Sequence, residues 1–308
     1  MVKVAVTSPS FSSNSILRSE LEEYFPNVKY NLTKKNLEYQ KVAEFIADSD
    51  ALILGLEKVD ATIFNQCKKL IVISKYGVGL NNIVLSDAIK ANIAIKFEPG
   101  INKRSVAELV IAQMISINRN IFNSMRSVKS GEWIKDGGFE ISGKRVGIIG
   151  FGNVGMELAR LLKPFGVDIY ANDILDFACE TSEYNVKRSG IEKILTLCEI
   201  ISLHVPYSEK THHLIGATQF NLMKEGSIII NTSRGGIVDE VALLSAVKDK
   251  KIRAALDVFE VEPQLGTALI NHPNVYPTPH IGGNSNESVL AMGRAAIKNL
   301  QEYFQVAK

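Results

Sequence analysis

The sequence has little of what marks several large classes of protein. It holds only three cysteines in 308 residues, Cys67, Cys179 and Cys198, odd in number and far apart, with no CxxC pair and no Cys/His ligand spacing. That pattern excludes a disulfide framework, gives no reason to expect a metal, and reads as the reduced thiols of a cytoplasmic protein. No apolar run approaches the ~18 residues of a membrane span. The first residues pass straight into Val2-Lys3-Val4-Ala5-Val6, a strand pattern without the apolar core and small-residue cleavage site of a signal peptide. Nor is there a charge excess. Thirty-five Lys and Arg against 33 Asp and Glu leave a formal charge of +2, and the short clusters Lys34-Lys35, Lys68-Lys69 and Lys248 to Arg253 read as solvated helix ends. Nucleic acid and membrane are therefore not expected partners. Low-complexity tracts and short-period repeats are also missing.

What is present is length and alternation. A single core stops growing at roughly 250–300 residues, so 308 residues predict two lobes with a cleft between them. Short β-branched runs recur between stretches of helical period, the signature of βαβ units and parallel sheets. In the first third the predicted strands are Val2–Thr7, Ala51–Leu54, Leu70–Ile73 and Ile93–Phe97. A break at Pro99-Gly100 precedes a long helix, for which Ser105 and Glu108 fit a capping box. A polar stretch, Ser127 to Gly143, carries the only tryptophan, Trp133, and reads as an arm or linker. A second series of strands follows: Arg145–Ile149, Val167–Ala171, Ile200–Leu203, Ser227–Asn231, Arg253–Val258 and Val275-Tyr276. The last helix, from about Ser285 to Phe304, needs a core to lie on. The Pro279 to Gly283 break before it mirrors Pro99-Gly100, so the chain is expected to return there to the first lobe. The fold class is thus α/β with two doubly wound parallel-sheet domains: a discontinuous one of residues 1–100 and 284–308, and one of residues 101–283.

The segment Gly150-Phe151-Gly152-Asn153-Val154-Gly155 has the GxGxxG pattern. By chance this arises about once in ten chains of such length, with Gly at ~7% of residues. Here it follows the strand Val146-Gly147-Ile148-Ile149 and opens a helix from Met156 to Leu162, the context that a dinucleotide fingerprint requires. Gly150 serves the tight turn, Gly152 the approach of backbone to pyrophosphate, and Gly155 the packing of helix on strand. Asp173, roughly 20 residues on, stands where a carboxylate accepts hydrogen bonds from the adenosine ribose and repels a 2′-phosphate. NAD rather than NADP is the expected cofactor.

Oxo-acid chemistry needs a cation for the carboxylate and carbonyl, a proton donor of near-neutral pKa, and a group that keeps the donor protonated. Three segments after predicted strands offer them: Asn231 to Gly236 with Arg234, Asp257 to Pro263 with Glu262, and Pro277 to Gly283 with His280. In an open parallel sheet such loops line the ligand crevice. Taken singly, a surface arginine, a loop carboxylate and a backbone-satisfied histidine explain each residue without chemistry.

Together, and after a dinucleotide turn, they resemble the D-isomer-specific 2-hydroxyacid dehydrogenase family. The likeness runs nearly end to end: Lys75-Tyr76-Gly77-Val78-Gly79, Gly100 to Glu108, the glycine turn, Leu203-His204-Val205-Pro206, Asn231 to Gly236, Ala255 to Phe259 and Thr278 to Gly283. The resemblance implies a Rossmann NAD-binding domain and a flavodoxin-like substrate domain. It implies that Arg234 grips the substrate carboxylate and carbonyl, that His280 gives or takes the hydroxyl proton, and that Glu262 raises the His280 pKa. It implies cofactor contacts from Val78, Asn153, Val154, Val205, Pro206, Thr232, Ser233, Asp257, Gly282 and Gly283, and substrate contacts from Lys75 and the amides of Gly77 and Val78. A homodimer through the NAD-binding domain is implied as well. Within the family the chain is most similar to phosphoglycerate dehydrogenases, which implies 3-phosphoglycerate and 3-phosphohydroxypyruvate as substrates. Two departures stand out: Leu54 to Lys58 lacks the arginine that many members place there for the substrate phosphate, and no regulatory domain follows before Lys308. Lys58, Lys75, Lys103 and Arg104 are the substitutes on offer. Glyoxylate or hydroxypyruvate reduction is the alternative, and an NAD-sensing binding protein on the same fold is the alternative of another class.

Overall fold

The computed structural model describes residues 1–177 and 186–306; Cys179 and Lys308 lie outside them. The chain divides into two compact units, Met1–Asn102 with Gly283–Lys308, and Lys103–Gly282.

The first unit is built on five parallel strands, β1 (Lys3–Val6), β2 (Asn27–Tyr30), β3 (Ala51–Leu54), β4 (Val72–Lys75) and β5 (Ala94–Lys96), in the order β2-β1-β3-β4-β5. This is the flavodoxin-like winding, with its switch point between β1 and β3. Strands β3 and β4 are buried along their whole length, as the centre of a sheet covered on both faces must be. One face packs on Val42, Ile46, Ile63 and Phe64, the other on Phe11, Leu17, Leu21 and the helix Asn286–Phe304. Ser285 caps that helix by accepting from the Ser288 N–H at 3.1 Å. Its small residues let it lie close to the sheet: Ala296 O accepts from Ser74 Oγ at 2.9 Å, and a Cβ on Gly293 would fall 2.3 Å from Leu17 Cδ1.

The second unit has seven parallel strands, β6 (Arg145–Ile149), β7 (Asp168–Asn172), β8 (Val186–Arg188), β9 (Ile200–Leu203), β10 (Ile228–Asn231), β11 (Arg253–Leu256) and β12 (Val275–Pro277). Their order, β12-β11-β10-β9-β6-β7-β8, is the Rossmann winding with one strand added, and its switch point lies between β6 and β9. Helices cover both faces, Lys103–Asn118 and Asn153–Leu162 on one, Ile191–Leu197, Ala217–Leu222 and Glu240–Asp249 on the other.

Two strands escape the sequence reading, β2 and β8. Both are edge strands with half-exposed, polar-rich sequences, Asn-Val-Lys-Tyr and Val-Lys-Arg, and an edge strand has no second neighbour to demand apolar residues. The expected capping box is not formed. The helix starts at Lys103, because the chain already turns over Pro99 to Asn102. Ser105 therefore sits inside the first turn and donates to Gly282 O at 2.7 Å, while Glu108 receives Arg104. Cys67 and Cys198 are buried, and burial pushes the Cys198 thiol up to about 12.

Candidate functional site

The glycine turn follows directly from β6. Gly150 has φ +94°, and a Cβ there would lie 2.5 Å from the His204 carbonyl carbon, so only glycine fits. The next helix, Asn153–Leu162, starts immediately, and a Cβ on Gly155 would meet Gly150 O at 2.3 Å, which draws helix and turn together. At Gly152 the opposite holds. A Cβ would meet nothing within 4 Å, and no side chain caps the helix there. Unsatisfied N–H groups at an unobstructed helix N-terminus are what a pyrophosphate needs. Asp173 stands at the end of β7, its Oδ2 accepting from the Phe151 N–H at 2.7 Å and its Oδ1 from the Leu175 N–H at 2.9 Å. The carboxylate is thereby fixed beside the turn. Thr232 adds a buried hydroxyl that finds no hydrogen-bond partner, and Val205 and Pro206 follow β9 on the same sheet edge.

The loops after β10, β11 and β12 carry Arg234, Glu262 and His280, the residues expected to do the acid–base chemistry. Buried Asn231 organises the first loop: its Oδ1 accepts from Ser233 N–H and Oγ at 3.1 and 2.7 Å, and its Nδ2 donates to Arg234 O at 3.0 Å. Gly235 allows this loop to touch the next, since a Cβ would fall 1.8 Å from Phe259 O. Asp257 organises the third loop. It is 1% exposed, and its two oxygens accept from Thr278 Oγ1 (2.7 Å), Ile281 N–H (2.8 Å) and Gly282 N–H (2.8 Å). Between those anchors His280 is held at φ +55°, a left-handed conformation uncommon for a non-glycine residue.

His280 Nδ1 and Glu262 Oε2 are 2.8 Å apart, and Glu262 Oε1 accepts from the Phe259 N–H at 3.0 Å. The Glu262 hydrogen bond and charge lift the His280 pKa above its ordinary value, against partial burial. Burial opposes ionisation of Glu262, yet the His280 hydrogen bond and charge hold its carboxyl below the usual range. Burial lowers the Arg234 pKa, and the Glu262 charge acts the other way. The three residues expected from sequence thus form one electrostatic unit. His204 is set apart from it: burial pushes its imidazole down to about 3, and its Nε2 pairs with Ser202 Oγ at 2.8 Å.

Other expected residues fall in the first unit. Lys75 ends β4 with its side chain buried, Nζ donating to Gly55 O and, at 2.9 Å, to Asn82 Oδ1. Gly77 follows at φ +120°, and Val78 is half-buried. Gly282 ends the second unit and Gly283 begins the return segment, where a Cβ would lie 2.8 Å from Asn102 Nδ2. Sequence reasoning missed the buried Glu57, the loop-holding role of Asn231, and a second imidazole–carboxylate pair, His213 Nε2 to Glu260 Oε1 at 3.0 Å. For Asn231 and Asp257 a signal existed, a polar residue ending or directly following an apolar strand.

Residues 111–282 match the model of the D-isomer specific 2-hydroxyacid dehydrogenase NAD-binding domain. The chain is 36% identical, over 98% of its length, to the D-3-phosphoglycerate dehydrogenase of Methanocaldococcus jannaschii, of which it spans only 57%. It is 37% identical to the hydroxypyruvate reductase of Thermotoga maritima, over 89% of this chain and 90% of that enzyme. A crystal structure of a glyoxylate reductase from Paecilomyes thermophila superposes with a TM-score of 0.87 at 26% identity, covering 99% of this chain and 96% of that one. The chain belongs to the D-isomer specific 2-hydroxyacid dehydrogenase family, with NAD as the cofactor of its Rossmann domain.

Proposed function

We propose that this chain exchanges a hydride between NAD(H) and a small D-2-hydroxy or 2-oxo acid, with Arg234, Glu262 and His280 as the catalytic residues. The observation that carries the reading is the 2.8 Å His280–Glu262 pair, with Arg234 acting on both charges. When bound, NAD supplies the hydride donor and acceptor. The protein's part is to place the acid and move one proton. The Arg234 guanidinium holds the substrate carboxylate and polarises its carbonyl. With Nδ1 engaged by Glu262, His280 passes its proton from Nε2 to the carbonyl oxygen as the carbonyl carbon is reduced, and takes it back in the oxidation. The glycine turn and Asp173 hold pyrophosphate and ribose, with Val205, Thr232 and Ser233 as further cofactor contacts. In the first unit, the amides of Gly77 and Val78 serve the substrate, and Lys75 lies buried behind them.

Phosphoglycerate, hydroxypyruvate and glyoxylate enzymes all stand among the relatives; the end-to-end resemblance taken alone favours 3-phosphohydroxypyruvate, whereas the buried Glu57 carboxylate of the first unit weighs against a phosphate. A homodimer through the NAD-binding domain completes the reading. Its support is the exposed apolar surface of the helix Ile121–Lys129 and of the arm, including Phe122, Met125, Ile134 and Phe139, with Trp133 79% exposed. Following NADH oxidation at 340 nm against 3-phosphohydroxypyruvate, hydroxypyruvate, glyoxylate, pyruvate and 2-oxoglutarate tests the activity. Turnover of at least one is expected; tight NADH binding without turnover of any would make the chain an NAD sensor.

A further inference from the structure

Resting on the dehydrogenase reading, the geometry points to a narrower substrate class: a 2-oxo acid with an uncharged tail, phosphorylated acids being excluded by the buried network of Glu57, Lys75 and Asn82. A phosphate dianion taken from water needs cationic or N–H donors not already committed elsewhere. In the first unit such donors belong at the carboxyl ends of the strands near the switch point between β1 and β3, where open α/β sheets bind ligands. The polar side chains found there include Thr7, Ser8, Glu57, Lys75 and Asn82, and on the proposed reading the amides of Gly77 and Val78 are taken by the substrate carboxylate.

Lys75 is the cation of this group, and its ammonium is committed inward. It is 4% exposed and donates to Gly55 O and to Asn82 Oδ1 at 2.9 Å, while Asn82 Nδ2 reaches Gly55 O at 3.1 Å and Glu57 O at 2.7 Å. Glu57 is also 4% exposed. Its Oε1 accepts from the Leu37 N–H at 3.3 Å, whereas Oε2 has no hydrogen-bond partner. A dianion brought to this edge is repelled by a buried carboxylate oxygen that no hydrogen-bond donor offsets. Positions 54 and 55 admit no cation either. Leu54 is fully buried, and a Cβ on Gly55 would crowd Glu57 Oε2 and Ser8 at 3.0 and 3.1 Å. The other candidates are engaged or solvated: Lys58 faces Asp60 at 3.6 Å, Arg104 is shared by Glu108 and Glu157, and Lys103 has its side chain in solvent. On the β2 side, Arg18 lies over the Tyr30 ring and toward Glu22.

The test compares kcat/KM for 3-phosphohydroxypyruvate with that for its phosphate-free counterpart hydroxypyruvate, NADH saturating. Hydroxypyruvate is expected to be favoured at least about tenfold, the size of one missing charge-assisted contact. A preference for the phosphorylated acid overturns the inference and leaves the dehydrogenase reading standing; absence of turnover with every oxo acid removes both. Two variants then locate the cause. Glu57→Gln removes the negative charge and should raise the relative rate on the phosphorylated acid. Leu56→Arg, at a position 64% exposed and so outside the core, supplies a cation and should raise it about tenfold. A selectivity ratio unmoved in both variants overturns the assignment to this loop.

Discussion

Two polar clusters, one at the edge of each unit's sheet, are built in opposite ways. At the edge of the second unit, Glu262 and His280 are partly exposed, share a 2.8 Å hydrogen bond and bias the imidazole toward its charged form. At the edge of the first unit, Glu57 and Lys75 are each only 4% exposed, and Lys75 is committed to Gly55 O and Asn82. A group that transfers protons has to be reachable and to titrate near neutral pH. A group that selects between substrates has only to be fixed and charged, and burial serves that purpose. On the proposed reading the reaction and the choice of acid reside in differently constructed polar networks, and mutations should separate them.

The largest separation is expected from His280→Ala. Removing the proton donor should lower kcat by ~10²–10⁴-fold for every oxo acid alike, with NADH affinity, read by fluorescence titration, nearly unchanged. Retained turnover would shift proton transfer to another group, and His213 beside Glu260 is the next imidazole to test. A loss confined to one acid would mean that His280 takes part in selection, and the contrast between the two networks would break down.

That contrast also explains what the sequence made legible. Apolar central strands such as Ala51–Leu54 and Ile200–Leu203 carry their assignment in their composition, since both faces are covered. The glycine turn is legible because Gly150 and Gly155 answer steric demands, Gly150 against His204 and Gly155 against Gly150 O, while Gly152 keeps the turn open. Arg234, Glu262 and His280 each follow a strand end, so strand order alone places them on one sheet edge. Glu57 and Asn82 are different. They lie 25 residues apart and meet through a backbone oxygen, and no local pattern announces a carboxylate whose significance is that it is buried. Edge strands β2 and β8 escaped for the related reason that their neighbours on one side are solvent.

Gly150→Ala should come second in size. It forces a side chain onto φ +94° and into the His204 carbonyl, costing roughly 1–3 kcal/mol in the conformation that holds the cofactor. NADH affinity should fall while the relative rates on different acids stay fixed. Asp173→Ala is milder. It removes the acceptor of the Phe151 and Leu175 N–H groups and the charge set against a 2′-phosphate, so the NADH over NADPH preference in kcat/KM should drop about tenfold. Wild-type protein that used both cofactors equally would take that role from Asp173.

Glu262→Gln should show the smallest effect at acid pH, growing as pH rises. Gln keeps an oxygen for the Phe259 N–H, so the loop geometry is retained while the charge beside His280 is lost. The His280 pKa is raised first by the Glu262 hydrogen bond and then by its charge, with burial opposing, so the variant's pKa must move down. Reduction uses the protonated imidazole. Its rate is therefore close to wild type at pH values where His280 is protonated in both proteins, and it falls away at a lower pH in the variant. Oxidation uses the neutral imidazole, and its rise begins at lower pH in the same protein. Both limbs of the pH–kcat/KM profile move in one direction, a signature that loop disorder does not produce. A uniform loss at every pH would reduce Glu262 to a brace for the Phe259 backbone, and the partly exposed pair would then resemble the buried one in serving architecture alone.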